Sequence, residues 1–287
     1  MKKESAYTVE APTPLLDFLL SHVQGQSRNS VKHLLSRGQV LVDGVPQTRF
    51  DLTLAPGQRV ALTAPSKGPA LPFPVLYEDE GLIVIHKPAG LLSVGTETEK
   101  KRTAYRILSD HLRSRDSRSR LFVVHRLDRD TSGVLLFAKD PALKEALQEN
   151  WNGLVKRRGY LAIVEGADLP DTGECRSKLT ENKVHRVHST KGEGKEAVTL
   201  YRVAERRGDY ALLEVDIQTG RKNQIRSHLS ELGHPVAGDE KYGAQSDPLG
   251  RLALHAQVLS LTDPRTGKLL TFTAPVPREF GKMFPRL

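Results

Sequence analysis

The sequence predicts an α+β fold in two parts, and three observations carry that expectation. Short apolar runs of strand length recur, among them Leu82-Ile83-Val84-Ile85, Leu121-Phe122-Val123-Val124 and Val134-Leu135-Leu136-Phe137-Ala138. Only a few segments repeat apolar residues at the spacing of an amphipathic helix. Residues 65–72, rich in Pro, Gly and Ser, show no periodicity and read as a linker between a first part, 12–64, and a second, 73–287. A chain of 287 residues suits two domains at about 150 residues each.

In the first part, Thr13-Pro14 has the form of a helix start, Thr as cap and Pro at the first helical position. Leu15, Leu16, Leu19, Leu20 and Val23 follow at helical spacing. A second helix is expected from Ser27, turning Val31, Leu34 and Leu35 inward and stopping at Gly38. Its other faces carry Arg28, Lys32, His33 and Arg37 in rows four apart. Val40-Leu41-Val42, a turn at Asp43-Gly44 and Val45 form a hairpin, and Arg59 to Leu62 form a strand. A basic helix of this kind is usually a solvated face. The order of Ser27-Arg28, the Leu34-Leu35 pair, Val40-Leu41-Val42 and Gly44 resembles the alpha-L RNA-binding domain, which attaches through phosphates and RNA shape.

The second part opens with a hairpin around Asp79-Glu80-Gly81, then the turn-rich run His86 to Val94. Arg113 to Arg120 holds four arginines against one aspartate. It is open to two readings, a solvated loop or a phosphate-binding arm. Asp140-Pro141 caps a helix through Leu143, Ala146, Leu147 and Trp151, and Arg158 to Val164 is a strand with Tyr160 at its entrance. His185 and His188 could meet on a helix, but no third ligand is placed beside them, so a basic loop with Lys183 and Arg186 is the better reading. Tyr210 to Ile217 is a strand. The helix after Thr219 turns Ile225, Leu229 and Leu232 inward, with Arg226 at the edge of that face.

Composition narrows the class. With 38% hydrophobic and 27% charged residues the chain is an ordinary globular one. No apolar run could span a bilayer, and Met1 to Ser5 is not a signal peptide. A single cysteine, Cys175, excludes an internal disulfide and a cysteine metal cluster and suits a reducing cytoplasm. A cytoplasmic monomer with no membrane partner is expected. Lys and Arg number 43 against 34 Asp and Glu, a charge of +9 that favours a polyanionic partner.

The chain is organised around residues 122–137. Two apolar runs, each expected to be a strand buried on both faces, flank a loop carrying His125, Arg126, Asp128, Arg129 and Asp130. Asp130, Thr131 and Ser132 read as a polar turn satisfying its own backbone, and Gly133 as a residue of unusual torsion. Asp128 lies between two arginines, and a depressed pKa would keep it ionised. His125-Arg126-Leu127-Asp128-Arg129-Asp130-Thr131-Ser132-Gly133 closely resembles the H-R-L-D-x-x-T-S-G signature of the RluA-type pseudouridine synthases.

That resemblance extends over almost the whole second part. Arg158-Gly159-Tyr160-Leu161-Ala162-Ile163-Val164 is similar to the family's K-x-Y-x-A-x-V motif, with Arg for Lys. Thr219 to His228 is similar to T-G-R-x-H-Q-I-R-x-H, with Asn223 where the family has histidine. The resemblance implies a mixed, largely antiparallel sheet and isomerisation of uridine to pseudouridine in RNA, with neither a metal nor a redox cofactor. It assigns Asp128 as the catalytic residue, Arg126 to eviction of the nucleotide, Tyr160 to packing against the uracil and Arg226 to pairing with Asp128. Arg28, Lys32, Arg37 and, on the loop, Arg129 are the expected RNA contacts. Ribosomal RNA of the large subunit is the expected substrate and tRNA the second. A non-catalytic RNA-binding or ribosome-assembly factor and an RNA glycoside hydrolase are the rivals from other classes; the latter would need two carboxylates at a set separation.

Overall fold

The computed structural model describes residues 5–23, 27–36, 39–62 and 71–287. Arg37, the expected stop at Gly38 and the linker stretch 65–70 lie outside them. The chain divides into two compact units, residues 1–72 with 107–120, and residues 73–106 with 121–287.

In the first unit, strand β1 (Ser5–Thr8) is followed by β2 (Thr13–Pro14), α1 (Leu15–His22) and α2 (Arg28–Ser36). Four further strands follow: β3 (Val40–Val42), β4 (Val45–Pro46), β5 (Thr53–Leu54) and β6 (Arg59–Leu62). The sheet order is β1-β6-β3-β4, with β2 paired to β5. Thr13 is therefore a strand residue opposite Leu54 rather than a helix cap. Helix α1 starts one residue after Pro14, with no side-chain cap. Ser27 does cap α2, its Oγ accepting from the Ser30 amide at 3.2 Å. Asp43 and Gly44 both have positive φ, 50° and 80°, as a two-residue hairpin turn requires. Leu15, Leu19, Val31, Leu35, Leu54 and Val60 form the core. Lys32 is exposed, its Nζ 4.9 Å from the centre of the half-exposed Phe50 ring.

Helix α3 (Ala104–Arg115) takes in Arg113 and Arg115, so two of the four arginines in the run are helical rather than on a loop.

The second unit is one sheet with helices packed on it. Its strands are β7 (Val75–Glu78), β8 (Leu82–Lys87), β9 (Phe122–Val123), β10 (Ser132–Ala138), β11 (Val155–Glu165) and β12 (Thr172–Glu181). Then come β13 (Val187–Thr190), β14 (Lys195–Arg207), β15 (Tyr210–Ile217), β16 (Leu254–Thr262) and β17 (Leu269–Thr273). Helices α4 (Pro141–Glu149), α5 (Trp151–Leu154), α6 (Gln224–Glu231) and α7 (Arg278–Met283) complete it. The order is β13-β12-β14-β15-β11-β16-β10-β8-β7, with β17 on β16 and β9 on β10. Every pairing is antiparallel except β10 with β16, so the sheet is mixed and largely antiparallel. Among the described residues no helix is long and apolar enough to cross a membrane.

The sequence reading holds for β10, buried along its whole length between β8 and β16. It fails for 121–124. Only Phe122 and Val123 pair, at an edge against Ala138 and Phe137, because the chain then leaves the sheet to form the central loop. Leu232 also departs from expectation. It is 45% exposed, while Ile225 and Leu229 are buried with Leu161 to Val164 in one core. A second core gathers Leu82, Val84, Val134, Leu136, Leu143 and Leu147, with the cap predicted at Asp140 accepting from the Leu143 amide at 2.9 Å.

Gly133 closes the loop where β10 meets β16. Its φ is 124°, and a Cβ there would lie 2.0 Å from the Ala256 carbonyl oxygen, a backbone atom that cannot move aside. Gly133→Ala is expected to destabilise the protein by about 3 kcal/mol or more. Thermal unfolding checks this through a midpoint lowered by about 6–12 °C.

Candidate active site

The central loop is built by anchoring its backbone rather than by its own turn bonds. Ser93 Oγ donates to the Leu127 carbonyl at 2.7 Å and accepts from the Leu127 amide at 3.0 Å, and the Leu127 side chain is buried. Lys87, fully buried at the end of β8, donates from Nζ to the carbonyls of Arg129 (2.8 Å), Leu91 (2.7 Å) and Pro88 (2.9 Å). Burial pushes that ammonium down to about 7 against the upward pull of Asp130 and Asp128. Gln148 on α4 donates to the carbonyls of Val123 and Val124. His125 Nε2 accepts from the Leu136 amide at 3.0 Å. An amide can only donate, so Nε2 is the unprotonated nitrogen and the ring proton sits on Nδ1. The ring stacks on Trp151 at 5.3 Å.

Of the three residues the sequence read as a self-satisfied turn, Ser132 is bonded outward instead. Ser132 Oγ meets His255 Nδ1 at 2.8 Å and accepts from Arg251 Nη2 at 2.8 Å. Thr131 Oγ1 is buried without a partner, and Asp130 is exposed.

Asp128 sits between the two anchored neighbours, at a cavity of about 510 Å³ that Arg126, Tyr160, Arg226 and Leu254 also line. Its side chain keeps 22% of its surface exposed, so the acid is held but reachable. Tyr160 lies mid-strand in β11 rather than at its entrance. Between Gly159 and Tyr160 the register with β16 slips by one residue, an irregularity of the kind that re-aims side chains beside active sites. Burial pushes its phenol up to about 12, so it acts as a neutral ring.

Arg226 faces Asp128, Nη1 to Oδ2 at 3.9 Å, too far for a hydrogen bond. Its main partner is a carboxylate from the loop that follows α6. Asp239 accepts from Arg226 Nε at 2.6 Å and from Nη2 at 2.7 Å. Asn223, with φ 50° at the start of α6, accepts from Nη1 at 3.2 Å, and its Nδ2 donates to the Tyr242 hydroxyl at 3.2 Å. The missing histidine is thus replaced by an amide that joins Arg226 to Tyr242. The signal for Asp239 lay in its neighbourhood: a buried arginine needs a carboxylate of its own, and Asp239 lies in the loop that follows its helix.

The expectation of a depressed Asp128 pKa does not hold. Burial raises it, outweighing the downward pull of Arg226, Arg126 and Lys87, and Asp239 adds to the rise. Arg129 is exposed beside the site without lining the cavity. Arg28 and Lys32 are exposed on α2 of the other unit. His185 falls on a turn and His188 in β13, so the two do not share a helix face.

A family model described as RNA pseudouridylate synthase matches residues 81–231, the segment that holds Asp128, Tyr160 and Arg226. The chain belongs to that family. It is an RNA pseudouridine synthase of the RluA type, an isomerase that converts uridine to pseudouridine in RNA. An uncharacterised RNA pseudouridine synthase of Bacillus subtilis is 33% identical over 94% of this chain and 92% of its own length. The ribosomal large subunit pseudouridine synthase D of Nitrosomonas europaea is 37% identical over 75% of this chain and 65% of its own. Among solved structures, human RNA pseudouridylate synthase domain containing 4 superposes with a TM-score of 0.60. It is 27% identical and covers 74% of this synthase and 92% of that chain.

Burial pushes the His125 imidazole down to about 4 from its ordinary 6.5. Between those values the unfolded chain binds a proton that the folded synthase does not, so stability is lost as pH falls through that window. Nitrogen NMR is expected to show His125 neutral with its proton on Nδ1 at pH 6, and the unfolding midpoint to decline below it.

Proposed function

We propose that the enzyme isomerises uridines in structured RNA, ribosomal RNA of the large subunit first, with Asp128 as the group that attacks the flipped nucleotide. One observation carries the assignment: a single carboxylate, fixed by its neighbours' backbone, is reachable from the cavity and faces a guanidinium at 3.9 Å. Extruding a nucleotide costs a few kcal/mol. Stacking on an aromatic such as Tyr160 returns about 1–3 kcal/mol. Arg126, exposed on the same loop, would fill the vacated space in the RNA. Isomerisation neither gains nor loses atoms: the glycosidic bond from the sugar to the ring nitrogen breaks, the base turns over, and the sugar rejoins at a ring carbon.

The choice of ribosomal RNA is supported by the name of the Nitrosomonas europaea relative and by the likeness of the first unit to an alpha-L domain, with Arg28 and Lys32 exposed on α2. The hydrolase reading loses support because Asp130, its second carboxylate, is exposed and does not line the cavity with Asp128.

Asp128→Asn is expected to leave no pseudouridine above background while RNA binding is retained. A single-turnover assay beside a filter-binding titration measures both, and a product-forming Asn variant would overturn the assignment. Because burial raises the Asp128 pKa, the acid limb of kcat/KM should lie above the ordinary carboxylate range. Replacing Arg28 and Lys32 with Ala should weaken RNA binding and flatten its salt dependence by about one unit of slope per lost phosphate contact. Pseudouridine mapping of total RNA with and without the enzyme identifies the target; sites confined to tRNA would refute the ribosomal choice.

A further inference from the structure

The site holds one more carboxylate than the reading above uses. Asp239, in the loop between α6 and β16, is 2% exposed and accepts two N–H groups of Arg226. A guanidinium offers five in a fixed fork. With Asn223 accepting a third, what reaches Asp128 is the Nη1 edge at 3.9 Å. The guanidinium cannot turn to improve that contact. The Tyr242 ring lies 5.0 Å from its Cζ, and the Tyr242 hydroxyl accepts from Asn223 Nδ2 and from the Val187 amide at 3.0 Å. A free arginine would take a carboxylate by two parallel hydrogen bonds and occupy both its oxygens. Here that geometry is given to Asp239 instead.

We infer that Asp239 is a positioning residue for the isomerisation: by gripping Arg226 from the side it keeps the guanidinium close to Asp128 while leaving both Asp128 oxygens open to the nucleotide. The inference rests on Asp128 being the attacking group. The charged and titratable groups about Asp128 are Arg126 from its own loop, Lys87 from β8, Tyr160 from β11, Arg226 from α6, and Asp239, with His125, Arg158, Arg221 and Lys222 on the wall of the same cavity. Asp239 is the one carboxylate in that set. Its removal acts on Asp128 twice in the same direction, by deleting a negative charge and by releasing Arg226 to pair with Asp128.

The test is single-turnover pseudouridine formation by the full chain on a uridine-containing ribosomal RNA transcript, followed between about pH 5 and pH 9. Asp239→Asn should lower the rate about a hundredfold, as a displaced catalytic group does. Its KM should stay within about threefold of wild type. Its acid limb should move down by about one pH unit as Arg226 closes on Asp128. Asp239→Glu keeps the charge but shifts the grip. Its limb should stay at the wild-type position, with a rate about tenfold below wild type. An Asp239→Asn enzyme with an unmoved acid limb, losing rate only in step with its folded fraction, would show a structural ion pair and overturn the inference. If Asp239→Asn does not fold, a wild-type rate in Asp239→Glu overturns it equally. Product formation by Asp128→Asn would sink the reading beneath it, whereas an inactive Asp128→Asn with an unmoved Asp239→Asn limb would sink this inference alone.

Discussion

The candidate active site depends on the capture of two backbone units either side of Asp128. Leu127 gives both its amide and its carbonyl to Ser93, and Arg129 gives its carbonyl to the buried ammonium of Lys87. A residue held on both sides has little freedom left, so the carboxylate is placed before any substrate arrives. An ammonium at zero exposure is costly unless its donors are matched, and three carbonyls match all three. The turn after β8 therefore does more than change direction. It delivers the hook.

The sheet provides the frame for that capture. Strand β10 leaves the loop through Gly133, whose φ and close approach to Ala256 let it run parallel to β16 for two residues, while β8 pairs along its other side. Strand β11 crosses the same β16 with a one-residue slip at Tyr160. The loop and the aromatic ring thus hang from a shared strand, and their separation is set by backbone hydrogen bonds rather than by long flexible side chains.

Much of this was legible in the sequence wherever local chemistry decides structure. The turn at Asp43-Gly44, the caps at Ser27 and Asp140, the buried β10 and the torsion at Gly133 each follow from residue type and position alone. The motif residues Asp128, Arg126, Tyr160 and Arg226 were also nameable, and they line one cavity. What escaped were relations across sequence distance. Thr13 looks like a cap until Leu54 pairs with it. Arg226 looks like the partner of Asp128 until Asp239, thirteen residues on, takes two of its donors. The direction of the Asp128 shift could not be read from its flanking arginines, because burial belongs to the whole fold and outweighs them.

Arg126 and Arg129 are exposed on a loop whose path is fixed by other residues. Neither side chain is among the groups that hold the loop, since Ser93 and Lys87 grip main-chain atoms of Leu127 and Arg129. The position of the acid is therefore inherited through residues other than its flanking arginines. A lineage could redraw the outward-pointing side chain of Arg129 while the carboxylate beside it stays where it was.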